Sequence, residues 1–344
     1  MKFGLRLPVV GPFASKSAVE SVAKLADASG FHSVWMQGHF IWTKLRETLA
    51  PNVGAVEVVG QNQNPNSFEY LTLAPYIAAL TSNVKLGFAV YMMPLLHPVV
   101  TAKVMSDIDV LSDGRLIFCV AAGGPLSRPT FEALGIDFDK RLEMTDEYIK
   151  AVRDIWTKDN CSFEGNFVKF KDLSIYPKPV QKPYPPIWIA GNTYHYVKRA
   201  ARLGNGIMLT SADPRVMQNL PKWSDSISSL RQETPGNERS SEKFDFAMDI
   251  FACIAGTDEE ACIISAATLD RRVRLQASEN DLEVPSLESI KNFNLVGSAN
   301  TLIEKVAEFE RAGVSLLELR FIARSNEEML SMIKSFTKDV IPSV

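Results

Sequence analysis

The sequence predicts a (β/α)8 TIM barrel with insertions after its strands, and three observations carry that prediction. The 344-residue chain holds eight short apolar runs bounded by turn residues, with helix-period stretches between them, and the alternation continues to the end of the chain. The runs are nearly continuous in apolar character, which is the pattern of a parallel sheet covered by helices. Eight such units close naturally into a barrel, which needs about 250 residues, so this chain has length to spare for insertions. A doubly wound sheet is the alternative closure. No stretch rich in Pro, Gly or Ser marks an internal linker, so a single domain over residues 1–344 is expected.

In chain order the runs are KFGLRLP, FHSVWMQG, KLGFAVYMM, RLIFCVAA, PIWIAG, GIMLTS, FAMDIFACIAG and LLELRFIA. Helical periodicity falls on Ser17–Ala28, Phe68–Leu80, Val99–Leu111, Tyr194–Leu203, Glu259–Leu275 and Leu302–Arg311. The surplus length falls mainly at Ile41–Asn66, at Gly124–Thr157 with the polar and aromatic stretch Ser162–Tyr176, and at Pro221–Lys243. The first two follow the second and fourth strands on the carboxyl side, where a barrel keeps its active site.

Composition narrows the class. Hydrophobic residues make up 46% of the chain, enough for a sizeable core. No apolar run approaches the roughly 20 residues of a membrane span, and the first residues read as a strand rather than a signal peptide, so a cytoplasmic protein is expected. Net charge is −3 with Lys and Arg dispersed, which argues against a nucleic-acid partner and for a small molecule. Cys119, Cys161, Cys253 and Cys262 are scattered, with no C-x-x-C pair and no histidine at ligand spacing. They read as reduced thiols, and no metal site is indicated. A homodimer is expected.

Catalytic groups of a barrel project from the carboxyl ends of its strands. The first strand ends in Leu7-Pro8-Val9, with no H-x-H pair for a metal hydrolase, and no strand ends in a lysine placed for Schiff-base chemistry. Of four histidines, His39 alone stands just beyond a strand, in WMQGHF with Trp42 following, and its near-neutral pKa suits proton transfer. The other reading of a histidine in an aromatic loop is a hydrogen-bonded packing residue. His97, before Pro98, reads as a cap. His32 lies at the start of the second strand, on the stability face, and His195 in the first turn after the fifth.

The fifth strand runs into WIAGNTYHYVKRAARLG, the outline of an anion site. Gly191 allows close backbone approach, Asn192 completes the turn, and Thr193 caps a helix or bonds a phosphate oxygen. An N-cap and a loop glycine explain the same residues without a ligand. Gly123 and Gly124 form a similar turn after the fourth strand, with Arg128 nearby as a phosphate partner. In the third run, GFAVYMMPLLHP, a small Ala89 interrupts an otherwise large apolar series and Pro94, His97 and Pro98 close it abruptly. The two small-residue turns on one face suggest a flat, phosphorylated ligand across the barrel mouth; at position 89 an alanine filling a tight layer of a plain buried strand is one reading.

These residues resemble the bacterial luciferase-like flavin and deazaflavin oxidoreductases, and among them the branch dependent on coenzyme F420. The resemblance is carried by LLHPVVTAKVMSDIDVLSDGRLIFCVAAGG, FEALGIDFDKRLEMTDEYIKAVRDIWT, YPKPVQKPYPPIWIAGN and KRAARLGNGIM, and it returns near the end in LVGSANTLIEKVAEFERAGVSLLELRF. It is extended from Met1 to about Met208 and faint from there to Phe293. It implies a non-prolyl cis peptide at Ala89-Val90 supporting the back of the cofactor ring. It also implies a phosphate tail on Gly191-Asn192-Thr193, His39 as the proton-transferring group and Trp42 in the substrate wall. The chain departs from the family in Gly38, where an acidic residue is frequent, in Val120-Ala121-Ala122, where G-x-G is frequent, and in Asn205, where Asp is frequent. Gly124 and Pro125 stand where relatives that oxidise a sugar phosphate carry a glutamate, so that substrate is not expected. Hydride transfer between coenzyme F420 and a small organic substrate is the expected reaction. The alternatives are an FMN-dependent monooxygenase of the same fold and a catalytically silent flavin-binding protein.

Overall fold

The computed structural model describes residues 1–11, 13–38, 41, 66–210, 214–232, 243–266, 269 and 293–344. Along the chain run β1 (Lys2–Arg6), α1 (Lys16–Ala28), β2 (Ser33–Met36), α2 (Tyr70–Leu80), β3 (Lys85–Phe88), β4 (Tyr91–Met92) and α3 (Pro98–Leu111). Then come β5 (Leu116–Ala121), α4 (Arg128–Ala133), α5 (Arg141–Thr157), β6 (Cys161–Glu164), β7 (Lys169–Leu173), β8 (Ile187–Ala190) and α6 (Tyr194–Leu203). The chain ends with β9 (Gly206–Thr210), α7 (Pro214–Gln232), β10 (Asp245–Ile254), β11 (Leu295–Gly297), α8 (Ala299–Arg311), β12 (Leu316–Phe321) and α9 (Asn326–Asp339).

Eight of these strands, β1, β2, β3, β5, β8, β9, β10 and β12, pair in parallel around a closed ring. All eight predicted runs contribute one. Each buries one face outward against helices and one inward, which explains why they read as almost wholly apolar. The inner face near the amino ends is filled by Trp35 and Trp188, with ring centroids 5.4 Å apart, packed among Ile117, Cys119, Met208, Ala247 and Leu316. The facing positions shrink to make room: a Cβ on Gly4 or Gly87 would come within 2.3 Å of the Trp35 side chain. The four cysteines are free thiols, and Cys119, Cys161 and Cys253 are buried. Among the described residues no helix is long and apolar enough to cross a membrane.

The structure corrects the sequence reading in two places. Residues 124–157 are not simply inserted length, because Arg141–Thr157 is the barrel's own helix α5, packed on α3. Only the β6–β7 hairpin is added behind it, and the Glu147 carboxylate of α5 holds that hairpin's turn by accepting from the backbone N–H groups of Asn166, Phe167 and Val168 at 2.8–2.9 Å. Pro221 likewise does not begin an insertion; it sits inside α7, whose N-terminal turns precede it. The prediction of helix over Glu259–Leu275 meets helical residues 258–266, and most of its remainder, like nearly all of the insertion 41–66, lies outside the described residues.

Candidate active site at the barrel mouth

The third run stops being a strand at the position its composition singles out. β3 ends at Phe88, the Ala89-Val90 peptide is cis, and pairing with β5 resumes at Tyr91 opposite Val120. The Ala89 N–H donates to the Met36 carbonyl at 2.8 Å, which ties this break to the end of β2. Ala89 is buried and Val90 partly exposed, and both lie against the inner cluster of Trp35, Ile117, Cys119 and Trp188.

The two glycine turns differ in what holds them. Gly123 has φ +96°, and a Cβ there would meet Ser127 Oγ at 2.6 Å, so the turn itself demands glycine. Gly124 has an ordinary φ of −93° and open space around its Cα. Arg128 does not reach into the turn unengaged: its guanidinium pairs with Asp139 at 2.7 Å and lies over the Phe138 ring, 4.3 Å from the centroid. Arg141 holds the turn instead, its Nε donating to the Gly123 carbonyl at 3.0 Å while its guanidinium covers the other approach to Phe138. After β8, a Cβ on Gly191 would come within 2.3 Å of the Tyr196 ring, so this glycine lets the first turn of α6 fold back onto the strand end. Thr193 stands at the N-cap with extended backbone but makes no side-chain cap, so the amides of the first turn are not claimed by the cap hydroxyl. Arg199, one of the basic residues of α6, is buried against Asp146 and is unavailable to a ligand tail; Arg202 pairs with the same carboxylate at 2.7 Å.

His39 and Trp42 lie outside the described residues. The other histidines fall where the sequence put them. His97 caps α3, its Nδ1 accepting from the Val99 amide at 3.3 Å. His32 sits at the amino end of β2, and burial, with Lys2 and Lys85 adding to it against Asp245, pushes its pKa down to about 4. His195 is exposed in the first turn of α6.

Sequence reasoning missed the polar half of the mouth. Arg6, the last residue of β1, points inward and grips Glu318 of β12 with two nitrogens, Nε to one carboxylate oxygen and Nη2 to the other at 2.6 Å. The same Nη2 lies 3.3 Å from Asp249 of β10, and Asp249 also accepts from Arg320 at 2.7 Å. Arg6 Nη1 donates to Gln37 Oε1 at 2.5 Å. Gly4, two residues before Arg6, faces Trp35, so this charged layer lies above the tryptophans, toward the carboxyl ends. Asp249 keeps 18% of its side chain exposed, whereas Arg6 keeps 1% and Glu318 none. Burial works against both charges of the inner pair while the two-oxygen contact holds them. For Glu318 burial prevails, with Arg6 opposing it, and the carboxyl is pushed up to about 7; for Arg6 the two carboxylates outweigh burial and its pKa rises.

A closed parallel barrel with a small-residue break in its third strand and glycine turns after its fourth and fifth defines a class of barrel enzymes, and comparison with known proteins agrees with it. The family model of the luciferase-like monooxygenases matches residues 4–316, and the chain belongs to that family. It is 23% identical over 304 residues to the FMNH2-dependent dimethylsulfone monooxygenase of Pseudomonas putida, covering 81% of this chain and 79% of that one. It is also 23% identical over 345 residues to the F420-dependent glucose-6-phosphate dehydrogenase of Amycolatopsis mediterranei, covering 96% and 95%. Among solved structures, the monooxygenase RslO1 of Streptomyces bottropensis superposes with a TM-score of 0.77 at 24% identity over 99% of both chains, a likeness of fold. The protein is thus an enzyme of the luciferase-like oxidoreductase and monooxygenase superfamily, whose members here include both F420- and FMN-dependent proteins.

Proposed function

We propose that the protein is an F420-dependent oxidoreductase that passes hydride between the deazaflavin and a small organic substrate. The observation that carries this reading is the pairing of a small-residue strand break at Ala89-Val90 with the α6 amino terminus at Gly191-Asn192-Thr193, whose cap side chain does not claim the amides of Tyr194 and His195. These residues fit a flat ring with a phosphorylated tail. Ala89-Val90 would hold the ring and the α6 turn the phosphate, with Gly123 and Gly124, after the strand that stands between them, bordering the ligand. Near-complete coverage in both directions by an F420-dependent dehydrogenase supports the deazaflavin. When bound, the cofactor supplies the hydride chemistry; the chain's share is orientation and exclusion of water. His39 moves the accompanying proton, and Trp42 forms part of the apolar wall on the substrate side.

The second reading is an FMN-dependent monooxygenase, favoured by the match to the dimethylsulfone enzyme and by the superposition on a monooxygenase. Titrating the protein with each cofactor by fluorescence quenching separates the two. The expected result is micromolar binding of F420, about −8 kcal/mol, with FMN at least tenfold weaker; tighter FMN binding moves the protein to the second reading. Ala89→Leu, which extends a side chain into the ring's space, should weaken whichever cofactor binds by at least about tenfold, while far-ultraviolet circular dichroism stays that of the folded barrel.

A further inference from the structure

We infer that Gln37 donates a hydrogen bond from its amide to a carbonyl oxygen at the pyrimidine end of the bound ring, and so decides which way the ring lies in the mouth. This rests on the reading that a flavin-type ring lies against Ala89-Val90.

Side chains alternate along β2: Val34 and Met36 enter the outer core, while Ser33 and Trp35 point into the barrel. Gln37 continues the inward series one step past the strand, where its side chain meets Arg6. Met36 stands opposite Phe88 and its carbonyl accepts from the Ala89 amide, so Gln37 is the neighbour of Ala89 across the mouth's rim. Arg6 fixes its orientation. A guanidinium has donors only, so the amide must turn its oxygen toward Arg6, at 2.5 Å, and its NH2 the other way. Arg6 cannot follow a rotating amide, because Glu318 holds it by two nitrogens and Asp249 lies 3.3 Å from one of them. The Gln37 NH2 meets no acceptor among the described residues, and Gln37 is only partly buried. A donor is therefore preset beside the ring site, with no acceptor among the described residues.

The mouth also has two unlike halves: Arg6, Gln37, Asp249 and Arg320 on one side, and Ala89, Val90, Ala190 and Met208 on the other. FMN and F420 carry the same pyrimidine ring with two carbonyl oxygens at one end; at the other end FMN has a dimethylbenzene ring and F420 a benzene ring bearing one hydroxyl group. The two carbonyl oxygens are the acceptors that both cofactors share, and they match the donor on the polar side, so the pyrimidine end lies at Gln37.

The test uses the full chain titrated with F420 and with FMN, together with difference infrared spectra of the ring carbonyl bands in the complex that forms. Gln37→Met removes the donor at similar volume. Gln37→Glu keeps an oxygen for Arg6 but has no hydrogen to donate, so it controls for loss of the Arg6 contact. Both variants are expected to bind the cofactor about three- to tenfold more weakly, with one ring carbonyl band moved to higher frequency than in the wild type. Unchanged affinity and band position in both variants, or weaker binding with the band unmoved, overturns the inference while leaving the cofactor reading intact. Failure of the wild type to bind either cofactor overturns that reading, and this inference with it.

Discussion

The two halves of the barrel mouth are built on opposite principles. From β3 round to β9 the interior carries small or apolar residues, Ala89, Val90, Ala190 and Met208, packed with Trp188 and Cys119. Across from them, β1, β10 and β12 send Arg6, Asp249, Glu318 and Arg320 into the same interior, with their charges matched in pairs. The apolar half presents small, uncharged side chains; in the charged half the guanidiniums of Arg6 and Arg320 are each anchored to a carboxylate. For a ring bound as proposed, a mouth so divided favours the orientation that turns the ring's carbonyl edge toward the polar groups.

The largest expected effect concerns proton transfer. If it belongs to the charged side, His39, two residues past Gln37 in the chain, is the group that performs it. His39→Ala should lower turnover of the cofactor-loaded enzyme by about 10² to 10⁴-fold, with cofactor affinity little changed. Turnover is read from cofactor absorbance with whichever organic substrate supports it. A variant with near-normal kcat would move the proton step away from this histidine.

The charged half itself can be broken directly. Glu318→Leu leaves Arg6 in the interior with the neutral Gln37 oxygen and only one carboxylate, the more distant Asp249, and should destabilise the fold by about 3 to 5 kcal/mol in urea unfolding. The double variant Arg6→Met with Glu318→Leu removes both charges and should recover most of that loss, since a well-packed apolar pair often replaces a buried ion pair at little cost. If the single variant loses less than about 1 kcal/mol, the pair behaves as an exposed one and the contrast between the halves collapses.

How much of this was legible in the sequence follows the same division. The apolar half could be read because its signals are local: Ala89 inside a run of large residues, Gly191-Asn192-Thr193 at a strand-to-helix turn, eight apolar runs in order. The charged half left no local signal. Arg6 and Glu318 are 312 residues apart, and each stands alone among apolar neighbours, where a single charge reads as the solvent side of an alternating strand. Only closure of the ring, with β1 beside β12, makes both positions interior. In the sequence, helix α5 reads as part of an insertion for a related reason. The short α4 and its flanking turns separate it from β5, so its place in the strand and helix alternation shows only when it packs on α3.

The opposite end of the barrel supplies a control that should respond to pH independently of the mouth. His32 is held neutral there by burial beside Lys2 and Lys85, with a folded pKa of about 4 against an ordinary 6.5. Because the folded value is depressed, the neutral ring is favoured in the folded state. That contribution is complete above pH 6.5 and is lost as pH falls toward 4, amounting to about 3 kcal/mol over the window. His32→Asn should flatten that part of the acid limb, so the stability difference between wild type and variant should shift by up to about 3 kcal/mol from pH 7 to pH 4. Equal slopes for the two proteins would show that this end is more open than its packing indicates, and would remove it as a reference for the mouth.

The smallest effects separate structural from ligand-reserved space within the apolar half, and adjacent glycines make the comparison. Gly123 has φ +96° and Ser127 Oγ 2.6 Å from where a Cβ would sit, so Gly123→Ala should destabilise the protein by about 1 to 2 kcal/mol whether or not any ligand is bound. Gly124 has neither constraint: its φ is −93°, and a Cβ would meet nothing within 4 Å. Folding alone gives no reason for glycine there, and Gly124→Ala should change stability by less than about 0.5 kcal/mol, or raise it slightly by restricting the unfolded chain. If the open space belongs to the cofactor, the same methyl group should weaken cofactor binding in the titration, since it occupies volume that the bound ring or its tail would otherwise fill. Gly124→Ala with unchanged affinity and unchanged stability would mean that this side of the mouth is simply solvent, and would confine the ligand to the Ala89 recess and the α6 turn.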